Sequence, residues 1–560
     1  MVVRALRVHS VEPLPGLYEN DYEWVRATAD IEVESAHPAN AGIVDLALAG
    51  DTVAFDCDVR MLRPTGGGDG GPLLAVVPNR GFIGGIPFEL GAPFAFGPTE
   101  PPSLGDGFLL ERGWTVLWTG WQWDVIDGLG IRAPTVDVGA GWTRSEWRLD
   151  ADAEDHTLSD STLFFTFADY PTADTDDPEA VLTVRTSPEG ERTVVPRDRW
   201  RFTDETHVAV DGGFLAFHWY ELVYRTRHCP VTGVGLLAFR DVAAHVRAGH
   251  DVALAYGVSQ SGRFLRQFLY ERRNVDEAGR QVFDGVFAHI ASSRRGEFNN
   301  RYAQPSYTHV IGHSNLPPFD TPAILDRQRE AGGAPKLIET NTAWEYWRGD
   351  GALVHVDPNT GDDLPDDADA RVYLLAGHDH LGGAMMMKDS LPGANPVHML
   401  DGQRVLRALF LALYRWVTDG AEPPPSAVPR RADGTLVTRE HVLAKFPGVP
   451  RPDPAVLNVT RELDVSSVPF TRGDAYVALV SDVGDSGNEV AGIRVPELAA
   501  GDAAYTGWNP RRPVAGLPDV LYEFLGSRLA LGPEPDRQAM GAAAKGLVNA
   551  GFLLEIDAEY

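Results

Sequence analysis

The sequence predicts an α/β protein: a mostly parallel β-sheet flanked by helices, with a large β-rich insertion and extra segments at both ends. Three observations predict it. Short apolar runs of strand length alternate with helix-like runs, as a parallel sheet with crossover helices requires. The run Asp251-Val-Ala-Leu-Ala-Tyr256 enters Gly257-Val-Ser259-Gln-Ser261-Gly262, and Phe264, Leu265, Phe268 and Leu269 follow at helical spacing, the strand-turn-helix context of a nucleophile elbow. Finally, about 130 residues separate Trp118 from that strand, several times a normal connection, and they are rich in short strand candidates.

Along the chain, Asp30-Ile-Glu-Val-Glu34 and Gly42-Ile-Val-Asp-Leu-Ala-Leu48 read as antiparallel strands. Leu73-Leu-Ala-Val-Val77 is a buried strand ending in the turn Pro78-Asn-Arg-Gly81, and Gly107 to Trp118 reads as helix then strand. The insertion, about 125–230, offers strands at Ser161–Phe167, Val181–Arg185 and Arg192–Pro196. Core elements resume with a helix at Gly235–Arg247, strands at Val286–Ile290, Pro335–Thr340 and Arg371–Ala376, and an amphipathic helix from Gln403 to Val417, stopped by Pro423-Pro-Pro425. The tail mixes loops with strands such as Ala475–Val480. This reading divides the chain into an N-terminal β-rich segment (1–60), a catalytic domain (61–430) and a C-terminal segment packing on the core (431–560).

Composition bounds the function. Among 560 residues, a 44% hydrophobic fraction with 13 Trp, 24 Phe and 16 Tyr supports a large core. A net charge of −30 argues against nucleic-acid binding and against docking on anionic membranes. The N-terminus lacks a signal-peptide pattern and Cys57 and Cys229 are the only cysteines, so a soluble, cytoplasmic protein is expected.

Chemistry centres on Ser259. A serine hydroxyl is a weak nucleophile until a base takes its proton, and the tight turn between Gly257 and Ser261 presents it clear of the backbone. Ser261 competes, but has Arg263 where a small residue is expected. A base is offered by the loop Gly377-His378-Asp379-His380-Leu-Gly-Gly383, just past a buried strand. His380 follows the strand by the usual short turn and is chosen, with His378 and His398 as alternatives. The His and Asp spacing there matches no familiar metal signature, so no metal and no cofactor are expected. For the acid, Glu345, between Trp344 and Tyr346, precedes Asp350 in preference. The amide of Gln260 and that of Arg80 or Gly81 would bind an oxyanion. Arg294, Arg295 and Arg301 offer guanidinium groups for a substrate carboxylate, and Trp121, Trp123 and Trp344 an aromatic pocket wall. The acidic, glycine-containing stretch Asp482–Glu489 lacks calcium-loop spacing and reads as a turn.

With these residues assembled, the chain resembles a little-characterised bacterial family of α/β-hydrolase domain-containing proteins. The resemblance rests on Pro78–Gly81, Tyr256–Arg266, Arg294–Pro305, Glu345–Trp347, Asn395–Val397 and Tyr505–Asn509, and spans about residues 70 to 520. The family pattern places a glycine-loop histidine at His380 and a glutamate at Glu345, whereas His378 and Asp379 depart from its usual neutral pair. The elbow is also similar to the Gly-x-Ser-Gln-x-Gly type of acetyl esterases. The resemblance implies an α/β-hydrolase fold and a serine carboxylic ester hydrolase acting on a small-molecule ester. Amidase, lactonase or acyltransferase chemistry on the same residues, or a non-catalytic binding role, are the alternatives.

Overall fold

Successive residues of the central strands face two different cores, which explains why these strands read as continuous apolar runs. In this computed structural model, described over residues 2–14, 21–66, 70–92, 101–159, 167–307, 316–384, 391–464, 471–500, 503–530 and 536–559, nine strands form the main path of one sheet. They are β1 (Val3–Leu14), β2 (Tyr22–Glu34), β3 (Thr52–Pro64), β4 (Leu73–Val76), β5 (Thr115–Thr119), β6 (Ala253–Val258), β7 (Gly285–His289), β8 (Lys336–Thr342) and β9 (Ala370–Leu375). Their order is β1-β2-β3-β5-β4-β6-β7-β8-β9, and the short strand Ile131–Arg132 pairs with β3 as a tenth. From β5 to β9 every pairing is parallel, while β1, β2 and β3 are antiparallel to their neighbours.

Leu73, Ala75, Ala253, Ala255, Val286 and Leu337 point to one core, where α1 (Val234–Arg247) and α2 (Gln260–Tyr270) supply Leu237, Phe239, Phe264 and Phe268. Leu74, Val76, Leu254, Tyr256, Phe287 and Ile338 point to the other, against Leu409, Phe410 and Leu413 of α5 (Gln403–Asp419), which follows α3 (Thr321–Ala331) and α4 (Ala343–Arg348) in the chain. Helices on both faces of a parallel sheet leave the carboxyl ends of the strands as the natural place for a site.

The insertion carries its own core. Strands 193–195, 181–185, 219–226 and 141–148 form one antiparallel sheet, and 200–202, 207–214 and 153–157 a second. Between them lie Trp147, Leu182, Trp200, Phe214, Tyr220 and Tyr224. The expected strand at Ser161–Phe167 falls on residues 161–166, outside the described residues.

Three local expectations are corrected. Gly42–Leu48 forms turns leading into a 3-10 helix at Leu46–Ala49, because Ile43 and Leu46, three apart, are the residues that bury while Val44 stays exposed. The helix expected after Gly107 is a single 3-10 turn, Leu110–Arg112, ended by Gly113 at φ 70°. Ala475–Val480 is divided: Thr471–Ala475 pairs with Arg461–Asp464, and Leu479–Ser481 with Leu436–Thr438. The tail packs on the α5 side of the core through Ile493 and Leu498, and Trp508 builds a separate cluster with Trp347 and Leu374. Cys57 and Cys229 are buried and unbridged. Among the described residues, no helix is long and apolar enough to cross a membrane.

Candidate active site

β6 ends at Val258, α2 begins at Gln260, and Ser259 between them sits at φ 58° and ψ −114°. That conformation costs about 1–3 kcal/mol and persists only where the surroundings hold it. Here the Ser259 N–H donates to the His289 carbonyl at 2.8 Å, and the Ser259 carbonyl accepts the Arg263 amide at 2.9 Å. The turn also needs glycine at its base: a Cβ on Gly257 would stand 2.4 Å from the Ser261 carbonyl oxygen. The result aims the Ser259 hydroxyl away from the sheet.

Two further strand ends bring their side chains to it. His380, five residues beyond β9, places Nε2 2.8 Å from Ser259 Oγ. Its Nδ1 lies 2.5 Å from Glu345 Oε1. Glu345 sits in α4 (Ala343–Arg348), directly after β8, and its Oε2 accepts the Thr342 N–H at 2.7 Å and the Thr342 hydroxyl at 2.5 Å. Each carboxylate oxygen therefore has a fixed partner, and the acid cannot swing away from the imidazole. Trp344 and Phe524 pack on the His380 ring, with centroids 5.2 and 4.8 Å away. This apolar clamp keeps the ring dry. Burial pulls the His380 pKa below its ordinary value, as do Arg348 and Arg263, although Glu345 pulls the other way. A neutral imidazole beside a hydroxyl is the form that accepts a proton.

The histidine loop is pinned at both ends. Asp379 accepts the amides of Gly382 and Gly526, and buried Glu489 accepts the Gly377 amide at 2.7 Å. Glu489 closes the hairpin that the stretch 482–489 forms by pairing with Val483, and burial pushes its pKa up to about 8. His378, the alternative base, is turned into the protein with Nδ1 against the Ala376 carbonyl, and His398 faces the Thr506 carbonyl. Neither meets Ser259. Ser261 Oγ is buried and has no hydrogen-bond partner among the described residues, so no base serves it.

A cavity of about 300 Å³ opens over Ser259 and His380. Its walls come from the segment after β4 (Asn79, Arg80, Phe82–Glu89), the elbow, the histidine loop, the start of α5, and Phe524. Of the oxyanion candidates, Arg80 lines this cavity, held at φ 54° by guanidinium bonds to the Ser306 and Tyr307 carbonyls and Asn79 Oδ1. Gly81 does not line it: it turns toward Val125, which a Cβ there would meet at 2.5 Å. Gln260 buries its side chain against the Pro305 carbonyl, and its amide is the first of α2, where no intrahelical acceptor exists.

The other sequence candidates have partners within the protein. Arg294 is buried in an ion pair with Asp350 at 2.7 Å, and Asp350 also accepts Arg348, so Asp350 neutralises arginines and does not reach His380. Arg295 stacks on Tyr270 and bonds to the Pro317 carbonyl. Arg301 pairs with Asp45 near the surface. Trp121 donates to the Pro78 carbonyl and packs on Phe264 and Phe298, and Trp123 packs on Tyr170; both lie away from the cavity. Trp344 touches His380 but is not a cavity wall. No described residue of the insertion lines the cavity either. Sequence reasoning passed over Arg263, Asn79 and Phe524. The first turn of an elbow helix must border the pocket, which would have found Arg263, whereas Phe524 arrives from the distant tail with no local signal. Among the described residues no group of three or more His, Cys, Asp or Glu is arranged to hold a metal ion.

A family model described as "Alpha/beta hydrolase domain" matches residues 182–560, starting inside the insertion. No curated protein matches the chain. Two solved structures similar to parts of this chain are titled glucuronoyl esterase from Solibacter usitatus. One is 11% identical with a TM-score of 0.23, covering 60% of this chain and 67% of that one. The other is 11% identical with a TM-score of 0.25, covering 66% and 80%.

Proposed function

This chain belongs to the alpha/beta hydrolase domain family, and we propose that it is a serine carboxylic ester hydrolase working through an acyl-enzyme. The observation that carries the reading is the continuous relay from Ser259 Oγ through His380 to Glu345, at 2.8 and 2.5 Å, opening onto one cavity.

In this reading Ser259 Oγ attacks the ester carbonyl while His380 Nε2 takes its proton. Glu345 holds the ring in the tautomer that leaves Nε2 free and stabilises the imidazolium that forms. The tetrahedral oxyanion is met by the amides of Gln260 and Arg80, each such donor being worth about 3 to 4 kcal/mol of barrier. His380 then gives its proton to the departing alcohol. Water, activated by the same imidazole, releases the acid and restores Ser259. The chain's own residues suffice for every step, so no cofactor is invoked.

The test is hydrolysis of a panel of short-chain esters by the wild type and by Ser259→Ala, with circular dichroism to show that both fold. Turnover that disappears with Ser259→Ala is expected. Equal turnover in the two would refute the assignment.

A further inference from the structure

Among the described residues, every buried arginine but one has at least one acceptor for its side chain. Arg266 bonds to Glu339 and the Phe319 carbonyl, Arg240 to Asp241, and Arg294 and Arg348 to Asp350. Arg263, one turn from Ser259 on α2, is only 7% exposed. Its Nε has no partner among the described residues, and none of the ion pairs found there includes it. The chain holds 79 acidic residues against 49 basic ones, so the vacancy is not a shortage of carboxylates.

Among the described residues, the acids closest to this cluster are already engaged. Asp350 already takes three hydrogen bonds from Arg294 and Arg348, at 2.7, 2.7 and 2.8 Å. Both oxygens of Glu345 are held by Thr342 and His380. Burial drives the Arg263 pKa well down, and Arg348, Arg80 and Arg294 add to that with their positive charge, while Asp350 opposes it only in part. An unpaired guanidinium in that setting costs stability unless something outside the chain neutralises it.

The cavity decides what that is. Arg263 lines it together with Ser259 and His380. The carboxylates in the same wall are each tied to backbone amides: Glu89 to Phe108 and Leu109, Asp379 to Gly382 and Gly526, Asp401 to Gln403. Asp379 and Asp401 repel an anion from their own parts of the wall, and burial pushes the Glu89 pKa up to about 7, so an anionic group is drawn to Arg263, beside the nucleophile. Guanidinium and carboxylate match in geometry as well as charge. We propose that Arg263 binds a free carboxylate of the substrate, so that the esters cleaved here are carboxylate-bearing, such as half-esters of dicarboxylic acids. This specificity rests on the reading of the cavity as an ester-hydrolysing site.

The experiment compares the full-length wild type with Arg263→Met and Arg263→Lys. Monomethyl esters of the malonate-to-adipate series are assayed against the matching dimethyl esters. The wild type is expected to prefer one half-ester over its neutral partner roughly tenfold or more in kcat/KM, the size of a charge-assisted hydrogen bond. Arg263→Met should reduce that preference to near unity, and Arg263→Lys should restore part of it. Equal losses on charged and neutral esters would overturn the proposal and place Arg263 in transition-state stabilisation. A second readout needs no turnover. Glutarate should raise the Tm of the wild type and not of Arg263→Met, and Arg263→Met alone should raise the ligand-free Tm by removing an unpaired buried charge. A lower ligand-free Tm, or an unchanged glutarate shift, would mark Arg263 as structural and sink the proposal. A glutarate shift that depends on Arg263 in a protein that cleaves no ester would leave the carboxylate site standing and defeat the hydrolase reading.

Discussion

At the antiparallel end of the central sheet, Arg7 meets Asp30 at 2.7 Å, Arg63 meets Glu23 at 2.7 Å, and Arg132 bridges Asp56 and Asp58. These partners lie across neighbouring strands and all have access to solvent, Arg7 at 54% and Arg132 at 48% being the most open. At the carboxyl ends of the parallel strands, Arg80, Arg263, Arg294 and Arg348 are all buried, and the acids set among them are Asp350 and Glu345. The first arrangement balances charge in water, where each pair is worth little. The second gathers four arginines where water is scarce and leaves one of them, Arg263, without a side-chain partner among the described residues. The difference teaches where to look: charge that the fold has not neutralised, in a dry concave place, is charge kept for something else.

The contrast breaks most completely at the relay. Ser259→Ala and His380→Ala should each lower kcat by roughly 10⁴-fold or more, read by initial rates on an ester that the wild type cleaves. Glu345→Gln should cost roughly 10² to 10⁴-fold with the fold intact, since it keeps the Thr342 contact but loses the charge that steadies the imidazolium. Asp350→Asn sharpens the point by acting in the opposite way. It strands Arg294 and Arg348 in the interior and should cost about 3–5 kcal/mol of stability, seen by chemical denaturation.

How far the sequence discloses all this depends on the range of the interactions. The parallel strands β4, β6, β7, β8 and β9 announce themselves through short apolar runs, because both faces of each are covered. Ser259, Glu345 and His380 stand just past three such runs, so the strand ends alone bring them forward, and the structure places the three side chains in hydrogen-bond contact. Arginine pairing is another matter. Whether Arg294 grips a ligand or Asp350 depends on a residue 56 positions away, which no local pattern records. The same holds for Phe524 against His380, and for Gly81, whose fate is set by Val125 from the start of the insertion. The 3-10 turns at Leu46 and Leu110 escaped because short apolar spacings of three are easily read as strand or as longer helix.

Smaller effects refine the comparison through pH. The relay needs neutral His380, whose pKa lies below the ordinary 6.5, mainly through burial. Activity should therefore rise with pH through an apparent pKa under 6.5 and be level at neutrality, measured as kcat/KM against pH. Glu489 works on stability. Its folded pKa, about 8, is above its ordinary 4.5, so the neutral carboxyl stabilises the fold fully below pH 4.5, and that contribution is lost as pH rises through about 8. Glu489→Gln should match the wild type in Tm at pH 4 and exceed it progressively toward pH 8 and above. The smallest effect belongs to the solvent-facing end of the sheet. Asp30→Ala, removing the partner of Arg7, should cost no more than about 1 kcal/mol by denaturation and leave ester turnover unchanged.

The most direct test of the account is whether Ser259 is an activated nucleophile. The wild type and the Ser259→Ala and Glu345→Gln variants would be treated with a fluorophosphonate, and the adducts located by intact mass and peptide mapping. One adduct on Ser259, absent in Ser259→Ala and slow to form in Glu345→Gln, is the expected result. An unlabelled wild type shown to be folded, or an adduct on Ser261, would contradict it.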